Sequence, residues 1–327
     1  MTGMLTIAKN SNEIGFLRKA YSLGFKSFRL NMDYEKESLK ALENIKSLKK
    51  SDIKIFADFQ GVKMRIQLPE QVIEKSYKEG DKETFYFSSN NFPYISNIEN
   101  VVDYLAVGQT ISIADEKING TIIEKYEDRI LVQFNSVTYV IRQNAGCSFI
   151  GDGIPPVKMT KKACFNIEKH EVIQNKLIDW VILSFAADAT EISDFTSTMH
   201  KMGIKVMAKI ETIEGVENIL ELSTVVDGFM IGRGDLKNTA KENFENYYKK
   251  ALEDVTLNKK EFSGVGTFFL SNFSETNNLT DQELNDVINV KSKKMDYIML
   301  SKEVVNSKFP FETIQLLNEL CIKDKRC

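Results

Sequence analysis

The chain has 327 residues and a formal net charge of −3; 27% of its residues are charged and 43% are hydrophobic. This balance is typical of a globular protein of about two domains, and it argues against a disordered chain or a basic nucleic-acid-binding surface. No apolar run reaches the roughly 18 residues that cross a bilayer, and the start of the chain shows no signal peptide. We therefore expect a cytoplasmic protein whose partners include neither a membrane nor a nucleic acid.

Strand-like and helix-like stretches alternate at the start of the chain. Short apolar runs cover residues 4–8, 27–31 and 53–59, and amphipathic stretches at 14–23 and 35–49 lie between them. Buried parallel strands have such near-continuous apolar sequences. The pattern predicts three β/α units.

The pattern then changes and later returns. Between about residue 67 and residue 153 the sequence consists of short β segments separated by turn residues, which is typical of a small all-β domain. Five further strand-like runs follow, at 180–185, 204–211, 228–232, 262–269 and 296–301, before a closing helix at 311–320.

Three strands before the insertion and five after it make the eight that a parallel (β/α)8 barrel requires. The predicted fold is therefore an α/β protein, a TIM barrel with a small all-β lid domain inserted after strand 3. The predicted domains are residues 1–66 and 154–327 for the barrel and 67–153 for the lid. A doubly wound parallel sheet is the alternative if one strand has been miscounted.

The cysteine and histidine content limits the metals that the chain could bind. The four cysteines have no paired spacing, which argues against a disulfide framework and a zinc site; they are Cys147, Cys164, Cys321 and Cys327. The chain has two histidines, so a divalent metal would be held by carboxylates, which favours Mg²⁺ or Mn²⁺.

Charged residues occur where the predicted strands end, which is the end that carries the active site in such barrels. Lys209 and Glu211 are two residues apart and point to the same side of one strand, while Asp235 follows the next strand. Two carboxylates from neighbouring strands suit a divalent cation. Arg29 and Arg65 offer planar donors to a phosphate or carboxylate. The alternative is that these charges only solvate the rim or pair with one another.

Five stretches resemble the pyruvate kinase family in order and spacing: RLNMDYE (29–35), DFQGVKMR (58–65), KIETIEG (209–215), DGFMIGRGDL (227–236) and YIMLSKE (297–303). The resemblance extends over essentially the whole chain, and the β-rich insertion matches the lid of that family. It implies metal-dependent transfer of a phosphoryl group from phosphoenolpyruvate to ADP, with pyruvate as product. Phosphoenolpyruvate or pyruvate and ADP are therefore the small-molecule partners that the resemblance implies, and a homo-oligomer is compatible with it.

The resemblance also implies roles for individual residues. Lys209 would stabilise the transferred phosphoryl group, Glu211 and Asp235 would hold Mg²⁺ or Mn²⁺, and Arg29 would contact the phosphate. The backbone amides of Arg233, Gly234 and Asp235 would receive the substrate carboxylate. Thr267 would lie near the carbon that gains a proton, and Arg65 and Asn31 would lie near the nucleotide. The family's monovalent cation would lie near Asn31, Asp33 and Asp58, with the ammonium of Lys63 in place of K⁺ and paired with Asp33.

Several family residues are replaced on the side that would face the nucleotide. The family's Gly-Pro after strand 1 is Ala8-Lys9, and its Phe-Ser-His-Gly is Met32 to Glu35. Elsewhere in the chain, its Ser-Gly-Glu-Thr is Ser301 to Val304. A lid lysine that faces the nucleotide aligns with Ala145. The family's C-terminal regulatory domain has no counterpart in the sequence, so allosteric control through that domain is not expected.

Three functions remain open at this point. The first is a compact pyruvate kinase that works with ADP or another nucleoside diphosphate. The second is a related enzyme that uses metal-bound phosphoenolpyruvate or an α-keto acid with another acceptor or reaction. The third is a protein that binds such a metabolite without turning it over. The metal, lysine and carboxylate-binding positions survive while nucleotide-facing positions change, so the enolpyruvate half of the site is the better supported one.

Overall fold

The computed structural model describes residues 1–8, 11–98, 101–114, 117–135, 139–151, 153–155, 157–258, 260–267 and 269–322. The predictions above that concern Lys9 and Cys327 lie outside the described residues.

The strands, in chain order, are β1 (Thr2–Ile7), β2 (Ser27–Asn31), β3 (Lys54–Phe59), β4 (Arg65–Gln67), β5 (Glu74–Tyr77), β6 (Lys82–Tyr86), β7 (Tyr94–Ser96), β8 (Thr110–Ile113), β9 (Ile118–Lys125), β10 (Arg129–Phe134), β11 (Tyr139–Arg142), β12 (Ala145–Ile150), β13 (Trp180–Leu183), β14 (Lys205–Ile210), β15 (Gly228–Gly232), β16 (Phe262–Gly266) and β17 (Tyr297–Leu300).

The α-helices are α1 (Ile14–Ser22), α2 (Glu35–Ser47), α3 (Lys161–Glu168), α4 (Glu171–Gln174), α5 (Ala189–Met202), α6 (Ile213–Glu217), α7 (Ile219–Leu222), α8 (Arg233–Ala240), α9 (Phe244–Leu257), α10 (Ser271–Thr276), α11 (Asp281–Ser292), α12 (Lys302–Val305) and α13 (Pro310–Ile322). Short 3₁₀ turns cover Met32–Tyr34, Val102–Tyr104 and Lys241–Asn243. Among the described helices, none combines the length and apolar character that crossing a membrane requires.

Within the described residues, eight parallel strands close into a barrel in the order β1, β2, β3, β13, β14, β15, β16, β17 and back to β1. The predicted (β/α)8 barrel with its insertion after the third strand is confirmed, and the doubly wound alternative is wrong because β1 pairs with both β2 and β17. In a closed barrel of this kind the carboxyl ends of all eight strands meet at one mouth.

Three aspartates tie the barrel strands together in pairs at the opposite end. Asp179, Asp227 and Asp296 each precede the first residue of a strand, β13, β15 and β17. Their carboxylates accept the amide protons of Ile55, Val206 and Ser263 at 2.8, 2.8 and 2.9 Å. The backbone amide of each aspartate donates to the carbonyl of the same partner at 3.0, 2.8 and 2.7 Å. Each pair of contacts satisfies polar groups where a strand begins and fixes its register.

The interior of the barrel is filled by methionine, aromatic and isoleucine side chains. The buried cluster comprises Met4, Phe56, Trp180, Ile182, Met207, Met230, Phe262, Tyr297 and Met299. The rings of Phe262 and Tyr297 stack with centroids 4.7 Å apart, and the Tyr297 hydroxyl donates to the Phe229 carbonyl at 3.2 Å. Flexible thioethers fill the gaps between flat rings, so the barrel encloses a packed core rather than a channel.

The inserted unit has its own β structure and its own core. Within its described residues, seven strands close into a second barrel in the order β10, β6, β7, β4, β12, β8, β9, and β11 pairs with β5. Burial alternates along β10, where Ile130, Val132 and Phe134 face the core. The β-rich pattern of the sequence covers this unit, but β4 and β7 have only three residues each and β5 is mostly polar, so the pattern does not delimit them.

The chain divides into two compact units, one of residues 1–61 and 158–327 and one of residues 62–157. The predicted boundaries at 66 and 153 differ from these by five and four residues. Residues Arg65–Gln67 form β4, which pairs with β12 and β7 of the inserted unit. Ile154 and Val157 pack on that unit's core. Both ends of the insertion are thus longer than the sequence pattern suggested.

Candidate functional site

A buried lysine is the centre of the charged cluster at the carboxyl ends of the barrel strands. The Lys209 ammonium lies 2.8 Å from Glu211 Oε1 and 3.5 Å from Asp58 Oδ2, and it donates to the Ser184 hydroxyl at 3.2 Å. The Lys209 and Asp58 side chains are 6% and 0% exposed. Four residues from β3, β13 and β14 or the loops after them are therefore brought together as the sequence predicted for Lys209 and Glu211.

Asp58 holds a second cation in the same layer. Nη2 and Nε of Arg29 lie 2.6 and 2.8 Å from Asp58 Oδ2, and Arg29 Nη1 donates to the Thr6 hydroxyl at 3.1 Å. The other oxygen, Oδ1, accepts the Ser184 hydroxyl at 3.0 Å. These contacts fix the plane of the Arg29 guanidinium from two sides.

The charges of this cluster support one another despite burial. Burial opposes the charged form of Lys209, but the carboxylates of Asp58 and Glu211 outweigh it and raise the lysine's pKa. Burial likewise opposes ionised Asp58, but the positive charges of Arg29 and Lys209 outweigh it and lower that carboxyl's pKa. Lys209 and Asp58 are therefore charged at neutral pH.

The Glu211 carboxylate is held by two donors, the Lys209 ammonium and a backbone amide, and its pKa reflects a different balance of charges. Its second oxygen, Oε2, accepts the backbone amide of Phe185 at 3.0 Å. Gly232 leaves room for it, because a Cβ there would lie 2.7 Å from Glu211 Cγ. Burial raises the pKa of Glu211 to about 7; the Lys209 charge opposes this rise and the nearby Asp235 charge adds to it. The buried Glu211 thus feels the negative charge of the half-buried Asp235 in addition to the positive charge of Lys209.

Carboxylates are the ligand type that a hard divalent cation prefers, and Glu211 and Asp235 offer two of them. No group of three or more His, Cys, Asp or Glu side chains suited to a metal ion lies within the described residues. Glu211 and Asp235 would therefore supply two oxygen ligands, and water and substrate oxygens the others. Mg²⁺ is commonly bound in this way, through one or two carboxylates together with phosphate oxygens.

Two residues after barrel strands have left-handed backbones, Phe185 with φ +56° and Thr267 with φ +72°. Such values are outliers for bulky and β-branched residues and cost on the order of 1–3 kcal/mol each. They also correct the predicted strands at 180–185 and 262–269. The chain leaves the extended conformation early, so β13 ends at Leu183 and β16 ends at Gly266.

The side chain of Arg233 contacts Thr267, which the sequence did not predict. Its Nε and Nη2 donate to the Thr267 carbonyl at 3.1 and 2.9 Å, and its Nη1 pairs with Asp286 at 3.0 Å. The guanidinium also lies 4.0 Å from the centre of the Phe269 ring. Arg233, Gly234 and Asp235 form the first turn of α8, where helix geometry leaves backbone amides without an acceptor in the helix.

The remaining predicted residues lie in two places. Asn31 accepts the Asp33 amide at 3.2 Å and so caps the 3₁₀ turn after β2. Lys63 and Arg65 belong to the inserted unit, where Arg65 Nη1 donates to the Asn144 carbonyl at 3.0 Å and the Lys63 carbonyl accepts from Asn97 at 3.0 Å. Their roles toward a nucleotide or a monovalent cation stay predictions.

A lysine–tyrosine contact joins the loops that follow β2 and β17, the two neighbours of β1 in the barrel. Lys302 Nζ donates to the Tyr34 hydroxyl at 3.1 Å and lies 4.7 Å from the centre of that ring. Both residues stand where the sequence departs from the pyruvate kinase pattern.

The roles of Phe185, Thr6 and Asp286 are not predicted from the sequence. Thr6 could have been found from the sequence, because it is the polar residue inside the apolar run of residues 4–8. Phe185 had none, since an aromatic residue after an apolar run looks like part of the core, and its contribution comes from its backbone.

Comparisons with known proteins agree with this geometry. The pyruvate kinase, barrel domain family model matches residues 2–314. Pyruvate kinases from Borreliella burgdorferi and Methanocaldococcus jannaschii are 23% and 29% identical over 97% and 84% of this chain. The crystal structure of Cryptosporidium parvum pyruvate kinase covers 98% of the chain with a TM-score of 0.84 at 24% identity, which supports the fold. The matches span 67%, 59% and 69% of these three relatives. The family match over nearly the whole chain, on a barrel with this charged mouth, shows that the protein belongs to the pyruvate kinase family.

Proposed function

We propose that the chain is a pyruvate kinase-like phosphotransferase that moves a phosphoryl group between phosphoenolpyruvate and a nucleoside diphosphate and gives pyruvate. The observation that carries the proposal is the buried ammonium of Lys209, held 2.8 Å from Glu211 and 3.5 Å from Asp58 at the mouth of the barrel. The names of the relatives point to the same reaction.

Phosphoryl transfer depends mainly on positioning and on stabilising the charge of the transferred group. Lys209 stays charged because two carboxylates face it, and its position is fixed before substrate arrives. Arg29 is held by Asp58 and Thr6, so its guanidinium is also oriented in advance. Charges that are already in place need no reorganisation during the reaction, which is the main advantage of such a site.

Glu211 and Asp235 are the residues that would hold a divalent cation. When bound, Mg²⁺ or Mn²⁺ would supply positive charge to the oxygens of the phosphoryl group and the substrate. The charge of the half-buried Asp235 acts on the buried Glu211, and a cation bound to both would relieve their repulsion.

The first turn of α8 and Thr267 are assigned to the enolpyruvate part of the substrate. The amides of Arg233, Gly234 and Asp235 would bind its carboxylate, because a helix start favours anions. The Thr267 hydroxyl would lie near the carbon that gains a proton. Arg233 supports this assignment by fixing the Thr267 backbone through two hydrogen bonds.

The experiment is to measure pyruvate formation from phosphoenolpyruvate with Mn²⁺ or Mg²⁺ and a panel of nucleoside diphosphates. We expect formation that requires both the metal and a diphosphate and that is lost in Lys209→Met. Absence of pyruvate with every diphosphate, in a protein that is folded and binds the metal, would contradict the proposal.

The Lys302–Tyr34 contact favours a second candidate, a related enzyme with a different acceptor or reaction. It brings a cation and a hydroxyl together after β17 and β2, where the family pattern has other residues. Exchange of the pyruvate methyl protons with deuterium, without phosphoryl transfer, would support this candidate. A thermal shift on adding phosphoenolpyruvate with neither reaction would instead support a metabolite-binding protein.

We also propose that the ammonium of Lys63 takes the place of the monovalent cation used by the family. Activity should then be independent of K⁺. A strong increase in activity on adding K⁺ would contradict this part of the proposal.

A further inference from the structure

Phe185 combines a place beside the charged cluster, a buried side chain and an unusual backbone conformation. It directly follows Ser184 of the charged cluster, its side chain is buried, and its backbone is left-handed with φ +56°. A large side chain seldom adopts this conformation, and such outliers occur most often where a structure needs a particular backbone direction.

Both polar groups of Phe185's backbone are used. Its amide donates to Glu211 Oε2 at 3.0 Å, and its carbonyl accepts the amide of Met159 at 2.8 Å. Because Glu211 Oε1 contacts Lys209, each oxygen of this carboxylate is held by a different donor. The carboxylate is therefore fixed in rotation as well as in position.

The residue before Met159 connects this contact to the helix that follows Glu211. Lys158 pairs with Glu214 at 3.0 Å and lies 3.8 Å from Asp188. Glu214 is in the first turn of α6, three residues after Glu211. The contacts thus form a closed ring that runs through Glu211, Glu214, Lys158, Met159 and Phe185.

We propose that Phe185 is a positioning residue whose left-handed backbone, held by Met159, orients the Glu211 carboxylate for a divalent cation. The inference rests on the proposed function insofar as Glu211 is taken as a metal ligand. Lys158, the first residue after the inserted unit, completes the ring and holds Met159 in place.

The test compares Phe185→Gly with Phe185→Ala. Both variants lose the phenyl group of Phe185, but glycine adopts positive φ freely and alanine does not. If the backbone direction matters, Phe185→Gly should bind Mn²⁺ within a few-fold of wild type, whereas Phe185→Ala should bind it about tenfold or more weakly, as when an outer-shell partner is lost. In catalysis, kcat should fall more in the alanine variant than in the glycine variant.

If Phe185 acts only by packing, the glycine variant should bind Mn²⁺ as weakly as the alanine variant or more weakly. Either result would overturn the inference. A wild-type protein that binds Mn²⁺ but forms no pyruvate would contradict the proposed function, while the Ala–Gly comparison would still decide the inference. A wild-type protein that does not bind Mn²⁺ would contradict both.

A second pair of variants serves if Phe185→Ala does not fold. Lys158→Met breaks the ring without touching Phe185 or Glu211, and it should weaken Mn²⁺ binding about threefold or more. Lys161→Met is the matched control, because Lys161 lies three residues further along the chain and pairs with the exposed Asp194. Equal Mn²⁺ affinity of the two lysine variants would also overturn the inference.

Discussion

Arg29 and Asp58, on the neighbouring strands β2 and β3, form a buried ion pair in which Nη2 and Nε of the arginine lie 2.6 and 2.8 Å from one carboxylate oxygen. Asp58 also contacts Lys209 and Ser184, so it is the one carboxylate in the described part of the mouth that both cations contact within 4 Å. The free energy of unfolding should therefore depend on the ionisation of Asp58.

The first prediction concerns this ionisation. The pKa of Asp58 is lower in the folded protein than its ordinary value of 3.8. Its stabilising effect is therefore present above about pH 4 and is lost as the pH falls through the lower folded-state pKa. Asp58→Asn should lower the free energy of unfolding at pH 7 by about 3–5 kcal/mol, because it takes the negative charge of Asp58 away from the buried Arg29 and from Lys209, which keeps Glu211.

Urea unfolding between pH 3 and pH 7 measures this effect. The difference between wild type and Asp58→Asn should narrow as the pH falls below 4. Asp52→Asn is the control, since Asp52 pairs with Lys26 on the surface, and it should change stability little. A difference that stays constant down to pH 3 would contradict the prediction.

The second prediction concerns the central ammonium. Lys209→Met should reduce pyruvate formation at least about a hundredfold, because it removes a preorganised charge from the reacting group. Lys205→Met is a matched control on the same strand, because Lys205 pairs with the exposed Glu261 at the other end of the barrel. Comparable activity in the two variants would show that Lys209 does not have the proposed role.

The third prediction tests the space beside Glu211. Gly232→Ala places a Cβ 2.7 Å from Glu211 Cγ and 2.9 Å from Oε1, so the carboxylate must move. We expect Mn²⁺ affinity to fall about tenfold or more in a calorimetric titration. Gly15→Ala in α1 meets nothing within 4 Å and should leave affinity unchanged. Normal Mn²⁺ binding by Gly232→Ala would argue against Glu211 as a ligand.

The fourth prediction separates stability from activity at Thr267. Thr267→Gly relieves a left-handed β-branched residue, and this gain exceeds or offsets the flexibility that glycine adds, so stability should stay equal or rise by about 1 kcal/mol. Pyruvate formation should fall, because the hydroxyl is lost. Thr267→Ser keeps the hydroxyl and should keep most of the activity. A glycine variant with full activity would remove Thr267 from the reaction.

The sequence was sufficient for the barrel and for part of its mouth. Eight apolar runs gave the fold, and the two-residue spacing of Lys209 and Glu211 placed both on one side of β14. The Arg29–Asp58 pair was not predictable as a contact, because it depends on the register of β2 against β3. The left-handed turns at Phe185 and Thr267 were not predictable either, since nearby tertiary contacts, rather than local preference, determine them.

The three aspartates that precede β13, β15 and β17 have a consequence for how this protein can change during evolution. Each aspartate joins two neighbouring strands by hydrogen bonds at the end of the barrel opposite the mouth, about one strand length away from it. Mutations in the loops at the mouth therefore leave these hydrogen bonds intact. A chain built in this way can acquire a new specificity at one end while the other end preserves the scaffold.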